Sequence, residues 1–246
     1  MNKNTVIFDM DGVIIDSEPY WRQAQINELA KYNVTITVAD CITLTMGKRL
    51  DEIAKIWCLR HQLTILPSVL QHNIMQMVVE LISEQGCAKP GLYSLLDYLQ
   101  DHNINIGLAT SSSRAVIDAV LRRLKIHSYF SVIRSADDEV YGKPHPAVYL
   151  TTAKQFKVKA EQCIVIEDSV TGMIAGKAAA MTTWVVPDNL NNPKFSIAEG
   201  VFSSLTQVQH AFDSLFINNH HQDSNTLAWH KSLGGDAYLT RSNLTL

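Results

Sequence analysis

The sequence predicts an α/β protein: a doubly wound parallel sheet with an all-helical segment inserted after the first strand. Three observations carry this. A short apolar run near the start, Val6-Ile7-Phe8, stops abruptly in Asp9-Met10-Asp11-Gly12. Residues 17–88 then read as helical, with one short β-branched stretch at 34–38 as the sole candidate strand. From Lys89-Pro90-Gly91 onward the pattern alternates between helix and strand as far as Val186. Strands alternating with helices build a parallel sheet with helices packed on its faces.

Taken in order, Val6, Ile7 and Phe8 suit a strand buried on both faces, and Asp-Gly turns the chain out of it. After Asp16 the spacing becomes helical: Ser17 can cap, Pro19 falls in the first turn, and Trp21, Ala24, Ile26 and Leu29 supply apolar positions. Further helices are expected at about 49–60 (Leu50, Ile53, Ile56, Trp57) and 68–84 (Val69, Ile74, Met77, Val78, Leu81). Lys89-Pro90-Gly91 punctuates the chain. A helix at 91–102 then leads to a strand at 104–109, and a helix at 113–125 to Val132-Ile133. A helix at 146–156 leads to a strand at 163–166, and one at 170–179 to a strand at 182–186. The implied domains are a core at 1–16 and 89–216, a helical cap at 17–88, and an extension at 217–246. That extension holds Asn218-Asn219, His220-His221 and Gly234-Gly235, and reads as flexible or loosely docked. His210, His220, His221 and His230 lack the spacing of a compact metal site.

Composition narrows the function classes. With 246 residues, 46% hydrophobic and 18% charged, the chain suits one large globular domain or two modest ones. A net charge of -3 makes no case for nucleic acid or an anionic membrane as partner. The start lacks a basic segment with an apolar signal core, and no apolar stretch reaches membrane-spanning length. Cys41, Cys58, Cys87 and Cys163 form no Cys-x-x-Cys pair, and Cys163 reads as a small buried hydrophobe. The expectation is a reduced, cytoplasmic protein, for which nothing demands more than a monomer.

In a doubly wound sheet, ligands bind outside the carboxyl ends of the strands. Asp9 and Asp11 follow the first strand; as neighbouring acids there they repel, and need a metal ion, a lysine or a shared proton between them. After the second strand come Thr110-Ser111-Ser112-Ser113, hydroxyls and free N–H groups at a helix start, a natural anion site. Gly142-Lys143-Pro144 follows the third strand and Glu167-Asp168-Ser169 the fourth. Each piece has an ordinary use as a helix cap or a solvated loop lysine. Together, in this order and each past a predicted strand, they supply carboxylates for a hard cation, a lysine, and a hydroxyl–amide cradle for a doubly negative group.

These four segments resemble, in order, the motifs of the haloacid dehalogenase-like superfamily, and the helical insert is similar to its helical cap. The resemblance covers about residues 1–212. Within the superfamily the chain is similar to the β-phosphoglucomutase-like subgroup, and most of all to sugar phosphatases of the hexitol phosphatase or 2-deoxyglucose-6-phosphate phosphatase type. The stretches that carry this are Asp16-Ser17-Glu18-Pro19-Tyr20-Trp21, Lys143-Pro144-His145-Pro146, 167–175 and Ser203-Ser204-Leu205.

The resemblance implies a phosphatase with a Rossmann-like core, acting on a small phosphorylated sugar or sugar alcohol. Asp9 would be the nucleophile that forms an aspartyl-phosphate, and Asp11 the general acid and then base. Mg2+ would bind Asp9, the backbone carbonyl of Asp11, and Asp168, with Glu167 holding a metal-bound water. Thr110, Ser111 and Lys143 would hold the phosphoryl oxygens. Arg49, in the Gly47-Lys48-Arg49 turn, is either a substrate contact or a solvated charge. Trp21 and Trp57 either line the substrate space or pack the cap. β-Phosphoglucomutase shares all four motifs but carries a histidine where this chain, aligned without gaps, has Trp21. Phosphoglycolate phosphatase needs no such residue. A non-catalytic phosphosugar-binding protein would be expected to show a damaged nucleophile, and Asp9 is intact.

Overall fold

The computed structural model describes residues 3–46 and 48–214. Its centre is a six-stranded sheet in the order β3-β2-β1-β4-β5-β6, parallel at every pairing. The strands are β1 (Thr5–Phe8), β2 (Asn105–Thr110), β3 (Val132–Ser135), β4 (Cys163–Glu167), β5 (Thr182–Val185) and β6 (Gly200–Val201). Between β1 and β2 lie α1 (Glu18–Ala30), α2 (Val38–Leu44), α3 (Leu50–Arg60), α4 (Pro67–Gln85) and α5 (Leu92–Asp101). The later crossovers carry α6 (Arg114–Leu124), α7 (Ala147–Phe156) and α8 (Val170–Ala178).

The sheet forms because its central strands are apolar on both faces. Val6, Ile7, Phe8, Ile164, Val165 and Ile166 are all essentially inaccessible to solvent. On one face Val148, Tyr149 and Ala153 of α7 and Ala175 of α8 pack with Ile7, Ala109 and Val165. β1 is central, and the strand order reverses between it and β4, the switch point at which open α/β sheets bind ligands. The hydrogen-bond ladder runs one residue past β1: Asp9 N–H donates to the Ile166 carbonyl at 2.9 Å. Asp9 therefore emerges beside Glu167 rather than in open solvent.

The loop after β1 is tight. Gly12 adopts φ +81°, a left-handed conformation that favours glycine, and its N–H donates to the Ile15 carbonyl at 2.7 Å. Met10, Val13, Ile14 and Ile15 are fully buried around it. The two chain segments that join the helical insert to the sheet lie side by side. Ile15 pairs antiparallel with Ala88, and the Lys89 N–H donates to the Ile14 carbonyl at 2.8 Å.

Two expectations need correction. The β-branched run at 34–38 is not a strand. Thr37 and Asp40 form a capping box that starts α2 at Val38, and reciprocal side-chain bonds to two otherwise unpaired N–H groups outweigh β propensity there. Ser17 stands at the start of α1 but makes no side-chain cap. Its hydroxyl is engaged elsewhere, as shown below. Inside the insert Trp57 is fully buried and donates through Nε1 to Gln25 Oε1 at 2.8 Å, an oxygen shared with the Thr45 hydroxyl at 3.0 Å. Trp57 is thus insert core. Trp21 is half-buried, and its carbonyl accepts from Gln25 Nε2.

The chain divides into two compact units after Thr206, and residues 207–214 of the second are helical. The predicted extension at 217–246 lies outside the described residues. All four cysteines are free, and among the described residues no helix is long and apolar enough to cross a membrane.

Candidate active site

Four strand ends converge at the carboxyl edge of the sheet. Lys143 reaches in from the loop after β3. Its ammonium lies 2.6 Å from Asp9 Oδ1 and 2.7 Å from Glu167 Oε1, and donates to the Ala109 carbonyl at 3.1 Å. The side chains of Lys143, Asp9 and Glu167 are 5%, 9% and 1% exposed, so these charges interact in a largely dry environment. The Tyr149 ring faces the same ammonium at 4.9 Å, and its hydroxyl donates to Glu167 Oε1 at 2.7 Å.

Glu167 is saturated. Oε1 accepts from Lys143 and Tyr149, while Oε2 accepts from the N–H groups of Asp168 and Ser169 and from the Ser169 hydroxyl. Five donors meet a carboxylate with about four lone-pair sites. Burial alone would favour its neutral form, but Lys143 and these hydrogen bonds outweigh it and hold Glu167 below the ordinary carboxylate range. The approach of α8 requires Gly172, since a Cβ there would run into the Glu167 carboxylate.

Asp9, Glu167 and Asp168 each offer an oxygen, all within 4.8 Å of one another. With all three carboxylates ionised, the one ammonium that pairs with two of them leaves two negative charges uncompensated in this cluster. Burial, then Glu167, raises Asp168 to about 7. Burial, reinforced by Glu167, Asp168 and Asp11, pushes Asp9 well above the ordinary carboxylate range against the pull of Lys143. Burial works against the Lys143 charge, yet Asp9 and Glu167 outweigh it and hold the ammonium well above the usual lysine value. The cluster fits a hard divalent cation: its donors are all oxygens, its excess charge matches, and glycine at position 12 makes room for the Asp168 carboxylate, which a Cβ there would run into. With Glu167 saturated, Asp9 and Asp168 have the carboxylates available to such an ion.

Asp11 stands apart from this cation group and is held by hydroxyls. Ser17 donates to its Oδ1, and Ser112 to Oδ2 at 2.7 Å, with Thr110 at 3.3 Å. The structure thus brings Asp9, Lys143, Glu167 and Asp168 together and joins Thr110 to Asp11. Ser111 is exposed in the bend between β2 and α6. Arg49 is not drawn in: its guanidinium is 85% exposed and pairs with Asp51 at 3.2 Å. Sequence reasoning missed Ser17 and Tyr149 as parts of the site, and placed Ser112 in an anion-binding stretch without its contact to Asp11.

A model of the haloacid dehalogenase-like hydrolase family matches residues 6–186. The chain belongs to that family. It is 34% identical over 206 residues to hexitol phosphatase B of Escherichia coli strain K12, covering 82% of this chain and 92% of that protein. It is 31% identical over 198 residues to the phosphorylated carbohydrates phosphatase of Thermotoga maritima, covering 79% and 90%. Among solved structures, β-phosphoglucomutase of Clostridium difficile superposes with a TM-score of 0.69 at 28% identity, covering 89% of this chain and 99% of that one. Within the haloacid dehalogenase-like hydrolases, the chain groups with the β-phosphoglucomutase-like proteins.

Proposed function

We propose that this haloacid dehalogenase-like hydrolase is a Mg2+-dependent phosphatase of small sugar phosphates that works through an aspartyl-phosphate. The observation that carries the reading is the Lys143 bridge between Asp9 and Glu167 at the switch point of the sheet. A carboxylate oriented by a buried ammonium, within an acidic group that needs a cation, is built to meet a phosphate monoester. The hexitol and phosphorylated-carbohydrate substrates in the relatives' names support a sugar phosphate as the substrate class.

In this reading Asp9 attacks phosphorus, the ester P–O bond breaks, and the departing sugar oxygen takes a proton from Asp11. Water then attacks the aspartyl-phosphate, Asp11 takes its proton, and the bond from phosphorus to Asp9 breaks to release phosphate. Asp9, the Asp11 carbonyl and Asp168 would hold Mg2+, with Glu167 behind them, and the ion would supply positive charge against the phosphoryl oxygens. Lys143 orients Asp9 and, with the Thr110 hydroxyl and the Ser111 N–H, holds those oxygens as charge redistributes. The insert at 17–88 acts as a cap that excludes water and touches the leaving group. Transfer to water, rather than to a second sugar hydroxyl, accords with Trp21 where the mutase resemblance implies a histidine.

A phosphate-release screen with Mg2+ over hexose, hexitol and deoxyhexose phosphates and phosphoglycolate, run beside Asp9→Asn, tests this. Release from a hexose or hexitol phosphate in preference to phosphoglycolate, abolished in Asp9→Asn, is expected. Tight sugar-phosphate binding by the pure protein without any release would overturn the reading in favour of a binding protein.

A further inference from the structure

Asp11 has a surrounding that the proposed reaction has not used. Ser112 Oγ donates to Asp11 Oδ2 at 2.7 Å, closer than the Thr110 hydroxyl at 3.3 Å on the same oxygen. Ser112 is itself fixed from two sides. Its N–H donates to Thr110 Oγ1 at 3.1 Å, and its carbonyl accepts the Ser135 hydroxyl at 2.7 Å. Ser135 is fully buried at the end of β3, and its Oγ also accepts the Asp137 N–H at 3.1 Å. A relay of main-chain and hydroxyl bonds therefore runs from the end of β3 through Ser112 to one oxygen of Asp11. An aspartate side chain rotates about two bonds, and a proton donor misplaced by about an ångström can lose on the order of a hundredfold in rate. Ser112 supplies the closer of the two restraints on Oδ2 that come from the core.

We infer that Ser112 is a positioning residue: it holds the Asp11 carboxyl group in the orientation from which it protonates the leaving oxygen. The inference rests on the phosphatase reading and adds to it a residue outside the proposed nucleophile, metal and phosphoryl sites. It separates two kinds of ester. A poor leaving group needs the proton as the P–O bond breaks, whereas a strongly acidic phenol leaves without it.

The test compares kcat/KM, which reports the steps up to leaving-group departure, on phenyl phosphate and 2,4-dinitrophenyl phosphate. Wild type, Ser112→Ala, Ser112→Thr, Asp11→Asn and the Ser112→Ala/Asp11→Asn double variant are compared, each checked for an unchanged melting temperature. Ser112→Ala is expected to lose about ten- to a hundredfold on phenyl phosphate and less than about threefold on the dinitrophenyl ester. Ser112→Thr should recover most of the loss, and Ser112→Ala should cost nothing further once Asp11 is asparagine. Equal losses on the two esters, or an additive loss in the double variant, would overturn the inference alone and leave Ser112 a structural or phosphate-binding residue. Absence of phosphate release from either ester by the wild type would overturn the phosphatase reading, and the inference with it.

Discussion

Lys143 Nζ sits 2.6 Å from Asp9 Oδ1, with 5% and 9% of the two side chains exposed. A contact this dry fixes the orientation of Asp9 and sets the charge state of its surroundings. Removing the ammonium in Lys143→Met leaves Asp9 and Glu167 buried without their counter-charge, at a cost of about 3–5 kcal/mol in the metal-free protein near neutral pH. Activity should fall about a hundredfold or more. The sign with pH follows from Glu167. Its folded pKa is lowered, so it contributes stability above its ordinary value of 4.5 and loses it as the pH falls. Denaturant titrations should therefore show a constant gap between wild type and Lys143→Met above pH 5 that narrows as the pH falls below 4.5. A gap that stays constant in the lower range as well would mean that Lys143 does not hold Glu167 ionised.

Binding of Mg2+ should release a proton. Asp168 in the metal-free protein is raised to about 7, and a carboxylate must be ionised to ligate. This raised pKa contributes stability that is complete below 3.8 and disappears as the pH rises through about 7. Metal reverses that trend, because affinity climbs about tenfold per pH unit below 7 and levels off above it. Melting curves with and without Mg2+ at pH 5.5 and 8 check this. The Mg2+-induced rise in Tm should be small at the lower pH and large at the higher, and calorimetry at pH 6 should find net proton release on Mg2+ binding, with Asp168 contributing.

Gly172→Ala sets two effects against each other. In the helix interior alanine is favoured over glycine by about 1 kcal/mol. At position 172, however, the new Cβ would occupy the place of the Glu167 carboxylate. Overpacking of this kind costs about 1–3 kcal/mol, so collision should win and the variant should be less stable than wild type by denaturant unfolding. Its Mg2+-dependent activity should fall as well, since Glu167 cannot move without disturbing Lys143 and Asp168.

Tyr149→Phe keeps the ring over Lys143 and removes one of the donors to Glu167 Oε1. The loss of a hydrogen bond to a buried charge is about 1.5–3 kcal/mol. Urea titrations should show that loss in full at pH 7 and less of it as the pH falls below 4.5, since Glu167 is held below that ordinary value. Lys143 still holds the same oxygen, so phosphate release should fall far less than in Lys143→Met.

Much of this was legible in the chain itself. The apolar run ending in Asp9-Met10-Asp11-Gly12 and the alternation after Gly91 led to the parallel sheet, because buried strands and amphipathic helices have distinct periods. The acids, the lysine and Thr110 could be placed because each follows a strand, and strand ends share one edge. Less legible were Val34-Thr35-Ile36-Thr37, where a local capping box overrode a β-branched run, and the two-residue strand Gly200–Val201, too short to leave a pattern. The contacts that Ser112 and Tyr149 make were missed for another reason. A hydroxyl has many ordinary uses, and their partners Asp11 and Glu167 lie 101 and 18 residues away, so only the folded chain reveals which use is made.

The pairing of Ile15 with Ala88 has a consequence of its own. The chain leaves the sheet and returns to it at neighbouring points, so whatever is threaded between them places no demand on where the strands run. A short turn spliced from Ile15 to Ala88 would leave β1, β2 and β4 in register, and a different run of helices could be grafted there equally well. With the insert as the proposed cap, its helices can change while Asp9, Lys143, Glu167 and Asp168 keep their places at the strand ends. Ser17, at the edge of that exchangeable length, donates to Asp11 and would have to be kept or replaced by an equivalent donor.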